Sequence, residues 1–431
     1  MLLITFLPFP VHGIDYFVKT NGNNGATGLS WPEAWRSINH AASNANGGDS
    51  VIVSNGYYHE QVMFSNSGTA ISPIILKAYE NHQALLIGTN LNSCIYVNDR
   101  SNIRIEGFRI RQATYAGIIL CGSSAQNTIT NNIINSNYLA GICLKGKGSR
   151  ENRILNNSIH GPAQIRGICV TNSDRNTIRS NALSYHDDHG ICFVNAALSN
   201  VIASNRIFYN YDNGIVFQGE DIEYNQIRGN VIYGKTGAYC SYRGIYFINC
   251  DHNVIGEGNV ITNCMNEGIR FEGTSQSNII VRNKIYNNYA NGIWFNGEDD
   301  DFNIIEGNII YGEPGAYFDQ NYGLFIQGGD NNIISGSNVI YRSPYYGVYL
   351  RNNTVNNVLS NNIIYSNNEY GIYVDDNSSD RFTGNSIGHN VNGGIAIYAS
   401  GGNNLRGNDI HGPRQNRGLI SYCHSLVISE S

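Results

Sequence analysis

A glycine followed by Ile, Leu or Val returns at near-constant intervals from residue 117 to residue 420, and it constrains the fold more than any other feature of the chain. Examples are Gly117-Ile118-Ile119-Leu120, Gly141-Ile142-Cys143-Leu144, Gly268-Ile269-Arg270-Phe271 and Gly371-Ile372-Tyr373-Val374. Two Asn-x-Ile segments follow each glycine, as in Asn127-Thr128-Ile129 and Asn132-Ile133-Ile134. A period of about 24 residues marks a solenoid in which each unit packs on its neighbours. Each unit holds three short runs of apolar alternation, so each run reads as a strand with one face inward. Glycine and asparagine are poor helix formers, and apolar spacing at 3.6 residues is missing, so a helical solenoid fits badly.

Three strands per unit predict an all-β, single-domain parallel β-helix of about thirteen coils, about 60 Å long at one strand spacing per coil. Gly and Asn are expected at the corners because both tolerate left-handed backbone. Asn at one corner of nearly every coil is expected to stack into a ladder of amide hydrogen bonds.

Composition narrows the function classes. Charged residues make up 14% of the chain and the net charge is −6, which gives no sign of nucleic-acid affinity. Residues 1–13 contain the apolar run Leu-Leu-Ile-Thr-Phe-Leu-Pro-Phe and read as a secretion-signal segment, with its basic start missing. No other stretch is long enough to cross a membrane. Cys143, Cys169 and Cys192 occupy one repeat position in successive coils, which predicts packed thiols rather than a metal site.

Residues 14–90 differ from the repeats of 91–431. Asp15-Tyr16-Phe17-Val18 predicts a strand. Trp31 through Ala45 predicts an amphipathic helix capped by Ser30, with Pro32 in its first turn, that covers the end of the solenoid. This opening, from Tyr16-Phe17-Val18 through Trp31, Ala34-Trp35, Gly48-Asp49 and Gly56-Tyr57-Tyr58 to Ser67-Gly68-Thr69-Ala70 and Pro73-Ile74, resembles secreted right-handed β-helix proteins of the pectate-lyase-like superfamily. It is similar to the start of chondroitinase B-like and alginate lyase-like chains, and the repeats resemble the carbohydrate-binding and sugar-hydrolase β-helix repeat. The resemblance covers almost the whole chain. It implies a right-handed coil, a polysaccharide ligand and a secreted or cell-surface location. It does not choose between lyase, epimerase, hydrolase and scaffold. Tyr185-His186-Asp187-Asp188-His189 is similar to the Asp-Asp of polygalacturonases and the Asp-Pro-His of mannuronan epimerases. Its spacing departs from both, so no catalytic role is carried over.

The outward positions of the glycine strand point to a site. Two residues after Gly, the column runs through Cys143, Cys169, Cys192 and Val216, then through Tyr246, Arg270, Trp294, Phe325, Tyr349 and Tyr373. Four residues after Gly it holds Glu272, Asn296, Gln327, Arg351 and Asp375. Flat rings among amides and charges suit sugars, although aromatics also stack on sheets for stability alone. Two coils are longer than the rest, and their similar insertions, 234–243 and 312–322, are expected to wall a cleft around Tyr246, Arg270, Glu272, Trp294 and Asn296.

Three chemistries remain open. A lyase or epimerase of a uronate polymer would use Arg270 and Arg243 on the carboxylate, with Tyr246, Lys235 or His189 as base and Tyr242 or Tyr246 as acid. No cofactor is required, but calcium held by Glu298, Asp299, Asp300 or Asp301 with Glu272 could replace the arginines; a solvated turn is the alternative reading of that acidic run. An inverting hydrolase would pair Glu272 with Glu298, predicted to lie roughly 8 Å apart, with Glu267 in reserve. A non-catalytic carbohydrate-binding scaffold would need none of these roles.

Overall fold

The marker glycines are required by close approach. A Cβ at Gly268 would lie 2.6 Å from Ile285 Cγ2 and 2.7 Å from the Gly292 carbonyl, and at Gly141 it would lie 2.5 Å from Ile159 Cγ2. None of the described marker glycines has positive φ. The left-handed corner residue is instead the one before each laddered Asn, as at Gln126 (57°), Asn131 (54°), Glu151 (57°) and Phe302 (56°). The expected left-handed corners therefore exist, and asparagine or glycine fills some of them, as at Asn131, Asn156, Gly229 and Gly307, while the laddered asparagine itself is the next residue.

A computed structural model describes residues 13–234, 242–313, 320–376, 379–398, 401–412, 418–422 and 425–429. It shows an all-β parallel solenoid of about 14 turns with three sheets and one short helix. The extra turns precede the first marker, because strand Ser93–Asn98 already pairs in parallel with Ala116–Cys121. The signal segment lies outside the described residues except for Gly13. Among the described residues no helix is long and apolar enough to cross a membrane.

By packing, the chain divides into two units, Met1–Asp187 and Asp188–Ser431. In the first, glycine-sheet strands Ser93–Asn98, Ala116–Cys121, Ala140–Lys145 and Arg166–Thr171 pair in parallel and in register. In the second, the corresponding sheet runs from Ile191–Val194 through Ile245–Ile248, Ile269–Glu272, Asn291–Asn296 and Tyr322–Gln327 to Gly393–Tyr398. The interior of the second unit carries a column of fully buried rings, Phe193, Phe217, Phe247, Phe271 and Phe295, with centroids 4.6–4.9 Å apart.

Amide ladders hold all three corners rather than one. In the first unit Asn127 donates to Asn152 Oδ1 and Asn152 to Asn176, through both backbone N–H and side-chain Nδ2. A second corner repeats this through Asn132, Asn157 and Asn181, and a third begins with Asn137 on Gln164. The second unit has the same pattern, as in Asn253 on Asn278 and Asn283 on Asn308. Buried amides are tolerated here because the ladders supply them with partners in the next coil.

The N-terminal helix is shorter than expected. It spans Ile38–Asn44, capped by Ser37 rather than Ser30. Residues before it are committed elsewhere: Trp35 bridges to Val18 and exchanges backbone hydrogen bonds with Phe17 and Lys19. The Glu60 carboxylate accepts the first helical N–H groups, from Ile38 and Asn39.

Candidate functional site

Sheet register in the second unit places Tyr246, Arg270 and Trp294 side by side on adjacent strands, with Ile248, Glu272 and Asn296 in the next outward row. Residues just before the marker glycines join the same face. Arg243 lies 4.4 Å over the Tyr246 ring, and its Nε donates to Glu267 Oε2 at 2.9 Å. Arg270 Nη1 lies 3.9 Å from that same oxygen, and its Nη2 is 2.9 Å from Glu272 Oε2. Tyr246 Oη donates to Glu272 at 2.5 Å. Arg270 also covers one face of Trp294 at 4.3 Å.

Burial sets the electrostatics. Side-chain exposure is 12% for both arginines, 1% for Glu267 and 38% for Glu272. Burial raises the Glu267 carboxyl above its ordinary value, against the pull of both guanidinium groups. The Tyr246 phenol is pushed up to about 12, by burial first and then by its bond to Glu272. Tyr246 is thus a proton donor in this arrangement and a poor base. His189 stands between two carboxylates, with Nε2 3.2 Å from Asp188 and Nδ1 3.4 Å from Asp212. Burial raises Asp212, while His189 and Arg243 pull it down.

The aromatic column is real but turned. Phe325 stacks on Trp294 at 5.5 Å and on Tyr349 at 4.8 Å, nearly parallel in each case. Phe325 and Tyr349 are 7% and 8% exposed. Ring faces that were expected to receive sugars are therefore covered by neighbouring rings, because one coil spacing brings the rings of adjacent coils within stacking distance. Tyr373 stacks instead on Tyr346 at 4.3 Å. Tyr322, Tyr346 and Tyr370, each just before a marker glycine, complete this tyrosine zone with the exposed Tyr345. Arg351 and Asp375 pair in register beside it. The pre-glycine tyrosines were missed, yet they recur with the repeat period and could have been found by reading that column.

Glu298 sits in the turn after Asn291–Asn296. It lines a cleft of about 650 Å³ with Asn296, Gln327, Asp330, Asn352 and Asp376. Glu272 does not line that cleft; its carboxylate is held by Arg270 and Tyr246. Lys235 lies outside the described residues, as do 235–241 and 314–319 of the two insertions.

The acidic run 299–301 does not converge on a calcium cage. Asp299 is exposed, Asp300 is fully buried and accepts the Ser275 N–H, and Asp301 accepts the Asp330 N–H. Burial pushes the Asp300 carboxyl up to about 7 against three backbone donors. Among the described residues, metal-like groupings are Asp188–His189–Asp212 and Glu223–Asp251–His252.

The family model of the right-handed β-helix region matches residues 93–241 and 274–429, well over half of the chain. The chain belongs to the right-handed β-helix family. This fixes the hand of the coil, which repeat spacing left open. The two matched stretches of this β-helix protein leave out 242–273, the coils that carry Arg243, Tyr246, Glu267, Arg270 and Glu272. An uncharacterized protein of Bacillus subtilis (strain 168), YwoF, is 31% identical over 134 residues, and the match spans 28% of each chain. Among solved structures, XylC in complex with xylose is 13% identical over 70% of this chain and 76% of its own, with a TM-score of 0.54. The A-module of the Azotobacter vinelandii mannuronan C-5 epimerase AlgE6 is 15% identical over 91% and 92%, with a TM-score of 0.45. At 13% identity the likeness to XylC is one of fold.

Proposed function

We propose that this β-helix protein acts on a uronate-containing polysaccharide, as a lyase or C5-epimerase, through the charged zone of its second unit. The observation that carries the reading is Arg270. Its guanidinium is nearly buried and is held against a partly exposed carboxylate that also takes the Tyr246 hydroxyl. An arginine so placed can neutralise a sugar carboxylate and stabilise the charge that develops when the adjacent C5 proton leaves. Arg243 adds positive potential from the neighbouring coil, and the buried Glu267 keeps both guanidinium groups in place.

In β-elimination the base removes the C5 proton, the C–H electrons form the C4=C5 bond, and the C4–O bond breaks as its oxygen takes a proton. Glu272 adjoins Arg270 and is the base in this reading; Tyr246, kept protonated, is the acid. His189 lies three coils from Arg270, about 14 Å along the sheet, too far to serve the same sugar. Epimerisation needs only the first transfer and return of a proton to the opposite face. The tyrosine zone would hold the polymer beyond the reacting unit, mainly through ring edges and hydroxyls. Such polymers place the protein at the cell surface or outside the cell.

The test is incubation with a panel of uronate polymers, following ultraviolet absorbance of the unsaturated product and, in D₂O, deuterium entry at C5. Absorbance gain identifies a lyase, and deuterium entry without it identifies an epimerase. Neither signal on any polymer defeats the reading. Retention on the same polymers would then identify a carbohydrate-binding scaffold, which the tyrosine zone favours independently.

A further inference from the structure

Arg270 presents a physical problem. A side chain only 12% exposed cannot leave its guanidinium unpaired, because a buried charge without a partner is strongly destabilising. Glu267 cannot serve it alone: that carboxylate accepts its close hydrogen bond from Arg243 at 2.9 Å and stands 3.9 Å from Arg270. The close partner of Arg270 is Glu272, at 2.9 Å, and the same Glu272 oxygen accepts the Tyr246 hydroxyl. One carboxylate oxygen thus receives two donors, in the arrangement a sugar carboxylate would need.

The two glutamates are not equivalent. Glu267 is 1% exposed and enclosed, so it has nowhere to go. Glu272 is 38% exposed and ends its strand, Ile269–Glu272, so it can turn to water where its charge is solvated at little cost.

We infer that Glu272 is an internal competitor for the substrate: it occupies the carboxylate-binding position on Arg270 and Tyr246 at rest and is exchanged for a uronate carboxylate on binding. Exchange of one carboxylate for another leaves the buried guanidinium paired throughout. It also discriminates against neutral sugars, which cannot compensate Arg270 once Glu272 has left. The resting pair lowers apparent affinity by the fraction of time that Glu272 holds the position. Once displaced, Glu272 stands beside the bound sugar as a free carboxylate, the state in which it can accept a proton. This inference rests on the uronate reading of the site.

The test is calorimetric titration of wild type, Glu272→Gln, Glu272→Asp and Arg270→Ala with three probes: oligogalacturonate, oligomannuronate and a carboxyl-reduced oligosaccharide of matched length. Glu306→Gln, an exposed carboxylate on another sheet, controls for net charge. Glu272→Gln is expected to bind one acidic probe about tenfold more tightly than wild type and the reduced probe no better. Glu272→Asp, a residue shorter by one methylene, should fall between them, and Arg270→Ala should lose the preference for acid. Far-ultraviolet circular dichroism identifies variants that fold. If wild type binds an acidic probe through Arg270 but Glu272→Gln and Glu272→Asp bind it equally or less well, the competitor role is wrong while the uronate reading stands. An equal gain with Glu306→Gln would also overturn it. If folded wild type and variants all ignore both acidic probes, the uronate reading itself falls.

Discussion

The same outward position of the glycine strand is used in opposite ways by the coils of the first unit and by the coils of the second from Tyr246 onward; Cys192 and Val216, at the start of the second unit, are still buried and apolar. In residues 13–187 it holds Ile119, Cys143 and Cys169, which pack with Ala116, Cys121 and Ala140 beneath Tyr96 and Tyr115. A hydrogen bond to Cys169, and then burial, raises the Cys143 thiol well above the ordinary thiol range, which makes it inert. In the second unit that position holds Tyr246, Arg270 and Trp294. Inside, the next residue is Leu120, Leu144 or Val170 in the first unit and Phe247, Phe271 or Phe295 in the second. Glycines and amide ladders are common to both units, so they set the coil and leave the outward positions free. The chemistry is carried by what decorates a constant frame.

That contrast can be tested from its strongest consequence downward. Arg270→Ala should lower turnover of a uronate polymer about a thousandfold, as expected when a group that stabilises developing charge is removed. Cys143→Ser assayed alongside should keep wild-type turnover. A loss shared by both variants would erase the distinction between the two faces. The frame, by contrast, should fail equally in either unit. Gly141→Ala and Gly268→Ala each force a Cβ to within 2.5–2.6 Å of an interior Ile methyl, and each should cost about 3 kcal/mol in chemical denaturation. A tolerant Gly141 would show that the first unit is looser than its ladder suggests.

A smaller effect separates a frame carboxylate from the site carboxylates. Asp300 has its carboxyl pushed up to about 7. Between about pH 4 and pH 7 the native state keeps a proton that the unfolded chain has lost, so stability falls as pH rises through that window. Asp300→Asn retains an acceptor oxygen and removes the ionisation. It should flatten this dependence and exceed wild type by about 2 kcal/mol at pH 7, read from urea midpoints at several pH values. Smallest of all, Cys143→Ser should cost about 1 kcal/mol, the burden of one hydroxyl in an apolar cluster, with the assay unaltered.

Repeat spacing was enough to read the coil, because steric glycines and laddered asparagines recur at every turn. It misplaced the helix cap, because Trp35 is drawn into sheet pairing that lies far away in sequence. Within the site, Tyr246, Arg270, Trp294 and Glu272 were legible because register is exact two and four residues after glycine. The partnership of Glu267 with both arginines was not. Strict alternation separates residues three apart, yet the backbone at the marker glycine brings Arg243 onto Tyr246 and Glu267 towards Arg270. Ring orientation was also hidden: pattern placed Phe325 and Tyr349 on the outward face, and only packing shows that their faces cover each other.

The amide ladders have a direction. At each corner the donors of one coil point to an oxygen supplied by the following coil, as Asn127 does to Asn152 and Asn152 to Asn176. A nascent chain emerging from its amino end therefore always presents a finished row of donors waiting for the next repeat. Each new turn is templated by the last, and the molecule can be lengthened or shortened in whole turns, by duplication or deletion of a repeat, without altering the rule by which the remaining turns assemble.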